Sequence, residues 1–233
     1  MSGRPRTNVR QRLNAGNPTR GKARKPRTLG KKGVSKRRRG MENSTVRGEL
    51  IDAAVQLIRE TGYASVTAKS LADKIKLTRA IVHYYFRSMD DLFIAVIRRG
   101  FDDCRPRLEA ALGSVEPLRT LWELNSDPAQ ATLTLELNAL ASRKPAVRAE
   151  VKRCAEEFRA LQTQIIIKHL EMRGISPTLR PLVATVLLTS VSQVLTLETA
   201  IDITYGHAET LEFVDACLRA FAEGREAPVQ DPH

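Results

Sequence analysis

Residues 67–86, TAKSLADKIKLTRAIVHYYF, constrain the fold more than any other part of the chain. Their apolar residues recur at helical spacing in two short runs, which predicts two short helices joined by a tight turn. Ala72 lies where closely crossing helices need a small side chain, and Val82 supplies the apolar contact that closes the corner. In this arrangement one helix can enter the DNA major groove while the other lies across its mouth. Paired amphipathic helices occur in many folds, so the spacing alone leaves other helical folds open.

The residues that follow carry a more specific pattern. Residues 82–92, VHYYFRSMDDL, contain an apolar residue, an aromatic cluster ending in Phe86, a serine, and an acidic pair before Leu92. In this the chain resembles the TetR family of bacterial transcriptional regulators, and the resemblance is specific from about residue 47 to residue 92. It implies a three-helix helix-turn-helix domain, a helical domain that binds a small-molecule effector, and a homodimer.

Three positions depart from the family pattern. Lys76 stands where a glycine is usual in the turn, and a non-glycine residue with positive φ there costs roughly 1 kcal/mol. The lysine could instead add a phosphate contact. His83 and Met89 stand where the resemblance implies a phosphate-contacting Tyr and Lys, so the contact at the start of the following helix is in doubt.

The candidate DNA contacts lie in and around the two short helices. Thr67 and Thr78 are expected to cap the helices, and Thr67, by resemblance, also to present its hydroxyl to a phosphate. Arg79 is the first candidate for a base contact, because its planar guanidinium matches the two acceptors of guanine. The full predicted set is Thr67, Lys69, Lys76, Thr78, Arg79, Ala80, His83, Tyr84 and Arg87.

The charge of the chain is unevenly placed. The formal net charge is +12, yet residues 1–41 hold fifteen Lys or Arg and no Asp or Glu, so the remainder is slightly acidic. Residues 1–43 have almost no apolar periodicity, which predicts a disordered basic arm. Such an arm could neutralise DNA phosphates or enter a minor groove. It could also be a solvated tail, or an upstream extension preceding a start at Met41.

The rest of the sequence predicts an all-α protein. Breakers such as Gly113, Pro117, Pro128, Pro145 and Gly206 separate apolar helical segments, and no β alternation occurs. The expected helices lie near 44–61, 117–125, 128–143, 145–173, 177–204 and 207–223, and a further helix starts at a capping box around Ser88. That helix is shared by both halves of the protein and is the natural transmission element. The predicted domains are an arm (1–43), a DNA-binding domain (44–88, its TetR-type unit reaching about 104), an effector-binding and dimerisation domain (89–224), and a tail (225–233).

Two further sets of residues are predicted for the helical domain. By resemblance, its last two long helices pair with their mates in a dimer, through Leu187, Val191, Val194, Leu211, Val214 and Leu218. Candidate wall residues of an effector pocket are Trp122, Leu137, Asn138, Phe158, Gln162, Ile165 and Gln193, with Glu136 as another polar anchor. For any one of these, core packing or a solvated face is the more common role.

Other classes of site have little support in the sequence. Cys104, Cys154 and Cys217 are widely separated, which fits a reducing cytosol, and no metal-ligand, cofactor-binding or catalytic motif is present, so neither a metal, a cofactor nor an enzyme is predicted. No secretory signal is recognised, and the uncharged run at 181–197 is broken by Thr, Ser and Gln. We therefore interpret that run as a buried bundle helix, with no membrane partner.

These observations predict a cytoplasmic, ligand-responsive repressor that binds a palindromic DNA operator as a homodimer, with a largely apolar small-molecule effector. One alternative is an architectural DNA-binding protein whose affinity is dominated by the basic arm, which predicts steep salt dependence and little sequence preference. Another is a small-molecule-binding module or enzyme that retains a DNA-binding unit.

Overall fold

The computed structural model describes residues 31–176 and 179–225, with side chains from Thr45 onward. Within these ranges all regular secondary structure is helical, so the predicted all-α class is confirmed. The helices are α1 (Lys31–Thr61), a 3-10 turn (Tyr63–Ser65), α2 (Ala68–Lys74), α3 (Arg79–Tyr85), α4 (Met89–Ala111), α5 (Pro117–Asn125), α6 (Pro128–Ala141), α7 (Pro145–Arg173), α8 (Pro181–Thr199) and α9 (His207–Ala222).

The first helix differs from the expectation. It begins at Lys31 rather than near Ser44, so residues 31–43, assigned to a disordered arm, are helical. Lys and Arg have high intrinsic helix propensity, and no proline lies between residues 31 and 61, so the one-signed charge did not prevent a helix. The remainder of the arm, residues 1–30, and the tail, residues 226–233, lie outside the described residues. Residues 42–233 form a compact unit distinct from residues 1–41.

Helix boundaries follow the breakers. Pro117, Pro128, Pro145 and Pro181 occupy the first positions of α5, α6, α7 and α8, where proline's missing N–H costs nothing and its fixed φ suits the helix. α7 ends at Gly174, whose φ of 65° is the left-handed conformation that closes a helix without strain. These signals are present in the sequence, and the predicted ends of α5 and α7 are confirmed.

Two apolar clusters make up the core. The first joins α1, α2 and α3 to α4, α6 and α7, and it contains Leu50, Leu71, Val82, Leu92 and Val147. The second joins the end of α4 to α5, α7, α8 and α9 around Leu108, Leu121 and Ile165. α4 therefore contributes its first half to one cluster and its last turns to the other, as expected for an element shared by both halves.

The prediction that residues 181–197 form a buried helix is wrong for the single chain. α8 buries only Thr185 and Ser192, whereas Leu182, Leu187 and Val194 are each about half exposed (50%, 49% and 51%). Thr185, Thr189 and Ser192 face the chain's own interior, whereas Leu182, Leu187 and Val194 face outward. By length and composition α8 could cross a membrane, and in the described part of the chain it is the one helix that meets these criteria.

Candidate nucleic-acid interface and effector cavity

The N-terminus of α2 is fixed by a reciprocal cap. The Ser70 amide donates to Thr67 Oγ1 at 3.0 Å, and the Thr67 amide donates to Ser70 Oγ at 2.9 Å. Two of the free N–H groups at the start of the helix are thereby satisfied. The expected capping role of Thr67 is confirmed, and this residue remains exposed at the helix end.

The turn between α2 and α3 is closed by a Schellman motif. The Leu77 amide donates to the Ala72 carbonyl at 2.9 Å, and the Lys76 amide donates to the Asp73 carbonyl at 3.4 Å. Lys76 has a φ of 55°, so a lysine occupies the left-handed position that usually carries glycine. The positive φ considered for Lys76 in the sequence is therefore present.

α3 presents one face to the protein and the other to solvent. Val82 is 1% exposed and packs in the first core cluster, whereas Tyr84 is 73% exposed. Thr78 holds the N-cap position of α3, but its hydroxyl makes no capping hydrogen bond, contrary to the expected side-chain cap. Tyr85 meets the ring of Tyr84 edge-on at 5.0 Å, and Phe86 is buried beneath the Arg47 guanidinium.

The residues predicted to contact DNA share one property, exposure to solvent. All nine are exposed: Thr67, Lys69, Lys76, Thr78, Arg79, Ala80, His83, Tyr84 and Arg87. Among the described residues, none of the four Lys and Arg in this set forms an ion pair, whereas Lys74 on α2 pairs with Glu60 at 2.9 Å. We call these nine residues the basic face. It carries cations available to an external anion.

α4 starts with a second reciprocal cap that joins it to the basic face. The Asp91 amide donates to Ser88 Oγ and the Ser88 amide donates to Asp91 Oδ2, both at 3.1 Å. This confirms the capping box expected at Ser88 and fixes the point at which α4 begins.

α6 also contacts the segments that flank the helix-turn-helix. The Tyr63 amide donates to Glu136 Oε2 at 2.8 Å, and Arg143 donates to the Tyr63 hydroxyl at 3.2 Å. Lys144, just after α6, pairs with Asp90 at the start of α4 at 3.3 Å. The sequence suggests Glu136 as a ligand anchor, but its carboxylate instead binds the backbone that leads into α2. Sequence reasoning missed this contact because the partners lie 73 residues apart.

A cavity of about 310 Å³ lies between α4, α5, α6, α7 and α8. Five of the seven predicted pocket residues line it, namely Leu137, Asn138, Phe158, Gln162 and Gln193. Trp122 and Ile165 do not line it, because both pack in the second core cluster instead. On α7 the lining residues Val151, Cys154, Ala155, Phe158, Arg159 and Gln162 recur every three or four residues, which places them on one helical face.

One end of the cavity is polar. Gln162, 1% exposed, donates from Nε2 to Asn125 Oδ1 at 3.0 Å and accepts from Thr189 Oγ1 at 3.1 Å. Thr189 and Gln193 are one turn apart on α8 and line the same cavity. The signal in the sequence for Thr189 and Gln193 is the set of Thr, Ser and Gln residues that interrupts the uncharged run at 181–197. By pattern alone that set interrupts an apolar helix, whereas in the fold it forms the helix's inward face.

An ion-pair cluster lies beside the cavity. Glu150 is buried and accepts hydrogen bonds from Arg98 at 3.0 and 2.9 Å and from Arg153 at 3.0 and 2.6 Å. The Arg98 hydrogen bonds, against the opposing effect of burial, lower the pKa of the Glu150 carboxyl from 4.5 to about 2. The cluster ties α4 to α7 and keeps this carboxylate ionised at neutral pH.

The thiols near the cavity are not activated. Burial raises the pKa of both Cys104 and Cys154, which line the cavity, so they are protonated at neutral pH. No group of three or more His, Cys, Asp or Glu side chains arranged to hold a metal occurs in the described part of the chain.

Of the predicted dimer residues, Leu187, Val194 and Leu211 are exposed, while Val191 and Val214 are half-buried. Leu218 is 7% exposed and packs in the chain's own second cluster, so it is unavailable to a partner and that prediction is wrong. It falls on the inward side of α9, which the apolar stripe alone does not separate from the outward side.

Comparison with known proteins identifies the family. Residues 50–96 match the model of bacterial regulatory proteins of the tetR family. The transcriptional regulator BetI of Brucella anthropi is 36% identical over 73 residues, which span 31% of this chain and only 38% of the length of BetI. The regulator CymR of Pseudomonas putida is 26% identical over 136 residues, 55% of this chain and 67% of CymR.

The fold has solved relatives as well. A transcriptional regulator from Saccharomonospora viridis, crystallised in complex with choline, superimposes with a TM-score of 0.64 at 18% identity, over 74% of this chain and 96% of that one. The family-model match covers the helix-turn-helix and the start of α4, and the structural match extends to the helical domain. The helix-turn-helix region, residues 50–96, therefore belongs to the tetR family of bacterial regulatory proteins, and the helical fold that follows it is the one seen in the solved regulator.

Proposed function

We propose that the protein is a sequence-specific DNA-binding regulator, and specifically a repressor released by a small molecule. The observation that carries this proposal is the basic face, whose nine residues are all exposed and whose four Lys and Arg form no ion pair among the described residues. A regulator, rather than an enzyme, is also what the named relatives suggest.

The proposed active form is a homodimer joined through α8 and α9. Outward-facing Leu182, Leu187 and Val194 on α8 and Leu211 and Phe213 on α9 are each between 39% and 51% exposed. Burying such a surface against a second copy removes apolar area from water without disturbing the inward polar side of α8. A two-fold axis here sets the two α3 helices a fixed distance apart, which suits a palindromic operator.

The proposed signal runs from the cavity to α3 by two routes. α4 lines the cavity with Val96, Ile97 and Phe101, and only residues 86–88 separate its capped start from the end of α3. α6 lines the cavity with Leu133 and Leu137, and it holds the backbone before α2 through Glu136. An effector that displaces either helix changes the angle of α3 and the spacing of the half-sites.

The test is selection of bound sequences from a random double-stranded DNA pool by the full-length protein at near-physiological salt. The expected result is a palindrome with fixed half-site spacing. Arg79→Ala should then weaken binding to that palindrome by roughly 10- to 100-fold, the equivalent of one bidentate base contact, while non-specific binding changes little. Arg173→Ala, an exposed arginine at the end of α7, is the matched control and should leave both unchanged.

Two outcomes contradict the proposal. A pool without a consensus means that charge alone governs binding, as in the architectural alternative. Equal loss of specific and non-specific binding in Arg79→Ala means that Arg79 contacts phosphate rather than a base.

A further inference from the structure

We infer that the cavity takes a mostly apolar ligand bearing a carboxylate or carbonyl acceptor, and that it excludes quaternary ammonium compounds. The inference rests on the proposed function in one respect, which is that it takes this ligand to be the effector of the regulator. It departs from the solved relative, which was crystallised with choline.

The polar end of the cavity offers hydrogen-bond donors that the protein itself does not use. Each side-chain amide has two N–H donors. Gln162 donates one N–H to the Asn125 side-chain oxygen, and Asn125 donates one N–H to the Leu121 carbonyl. The Gln162 side-chain oxygen accepts from the Thr189 hydroxyl. Each of the two amides therefore has one N–H left over. Gln193 lines the same end, and its amide has no hydrogen-bond partner among the described residues. Unused donors in a partly buried site favour a ligand that accepts hydrogen bonds.

The charge around the cavity disfavours a cation. No Asp or Glu is among the described residues that line it, and its one charged lining residue is Arg159. Arg159 is exposed and forms no ion pair in the described part of the chain, so its guanidinium can meet an anion at the cavity mouth. The nearest buried carboxylate, Glu150, already accepts hydrogen bonds from two arginines, Arg98 and Arg153.

The aromatic rings cannot replace the missing carboxylate. A quaternary ammonium ligand is held by the faces of several aromatic rings. Here the aromatic lining consists of Phe101 and Phe158, which meet edge-on at 6.3 Å. The guanidinium carbons of Arg105 and Arg153 already lie 4.9 and 5.9 Å from the centre of the Phe101 ring. A further cation would meet two existing ones at the same ring.

The remaining wall sets the apolar part of the ligand. Val96, Ile97, Leu124, Leu133 and Leu137 surround the two phenyl rings, so the end away from Gln162 is aliphatic and aromatic. With a volume of about 310 Å³, the cavity accommodates a fused two-ring aromatic skeleton. A small polar solute such as choline would leave most of these apolar walls without a partner.

The test is isothermal titration of the full-length protein with probes that share one skeleton and differ in charge. The probes are 1-naphthoate, 1-naphthamide and trimethyl(1-naphthylmethyl)ammonium, with choline as a second cation. Naphthoate and naphthamide should bind, and both cations should bind at least about tenfold more weakly or not at all. Arg159→Gln should weaken naphthoate about fivefold, the size of a partly exposed charge interaction, and leave naphthamide unchanged. Arg173→Gln, on the same helix outside the cavity, is the matched control.

Three results would overturn the inference. The first is that either cation binds as tightly as naphthoate. The second is that neither naphthoate nor naphthamide binds. The third is that Arg159→Gln weakens the binding of naphthoate and of naphthamide equally. The titration contains no DNA, so its failure leaves the proposed DNA-binding function standing. A DNA pool without a consensus, in turn, would refute that function without changing the titration.

Discussion

Replacing Lys76 by glycine should stabilise the protein. Lys76 holds the left-handed position of the Schellman motif, with a φ of 55°. An L-residue in this conformation costs about 1 to 2 kcal/mol relative to glycine. Glycine gives back about 0.4 to 1 kcal/mol, because it adds conformational freedom to the unfolded chain. The expected net gain in the free energy of unfolding therefore lies between about 0 and 1.6 kcal/mol, with a central value of about 0.8 kcal/mol.

The structure allows this gain to appear without an offsetting loss. The Lys76 side chain is exposed and forms no ion pair among the described residues, and the hydrogen bonds of the turn use only its backbone. For a chain of 233 residues the central value of this gain corresponds to a rise in Tm of about 2 to 3 °C. Thermal unfolding at matched protein concentration measures it, since the proposed dimer would make Tm depend on concentration.

Lys76→Ala is the matched control, because it removes the charge but keeps a Cβ at the strained position. It should melt close to the wild type. Both variants should lose operator affinity equally if the lysine contacts a phosphate, and both should lower the slope of binding against salt by about one. If Lys76→Gly and Lys76→Ala melt at the same temperature, backbone strain at this turn is not a significant cost and the reasoning is wrong.

Three more perturbations test the cluster, the dimer and the α6 contact. Glu150→Gln should lower stability at pH 7 by about 1 to 2 kcal/mol, allowing for the exposure of both arginines. Because the pKa of Glu150 is lower in the folded state, the wild type alone should lose this stability as pH falls from 4.5 toward about 2. Parallel acid-unfolding curves of the two proteins would contradict this. Leu187→Glu should shift the protein from dimer to monomer in sedimentation experiments. Leu135→Glu, at an equally exposed site on α6, is the control and should not. A dimer that survives Leu187→Glu places the interface elsewhere. Glu136→Ala should lower the free energy of unfolding by about 1 to 2 kcal/mol and expose the Tyr63 amide to hydrogen exchange. Glu136→Gln keeps an acceptor and should preserve the protection of this amide. Equal exchange in both variants would show that Glu136 does not hold this backbone.

Local signals determined the helices and the DNA-binding motif. The prolines at the first turns, Gly174 at the end of α7, and the caps at Thr67 and Ser88 act within a few residues of sequence. The closing contacts of the two short helices, Ala72 and Val82, also lie close together in the chain. These features depend on backbone geometry and short-range packing, so the amino-acid sequence is enough to predict them.

Longer-range features were decided by packing. Helical periodicity showed that α9 has an apolar stripe, but only the structure separated buried Leu218 from exposed Leu211. The same holds for α8, where Thr185 and Ser192 are buried and Leu187 is exposed, and for Trp122 and Ile165, which joined the core rather than the cavity. Which face of a helix is covered depends on neighbours that are distant in sequence.

The sequence by itself therefore determined the helical class, the helix-turn-helix and the residues of its basic face, because these follow from spacing, capping and local charge. Only the tertiary structure decided the composition of the cavity and its link to the helix-turn-helix unit. The Asn125–Gln162 pair spans 37 residues and the Tyr63–Glu136 pair spans 73. Such contacts form when whole helices pack together, and no local pattern in the chain specifies which residues will meet.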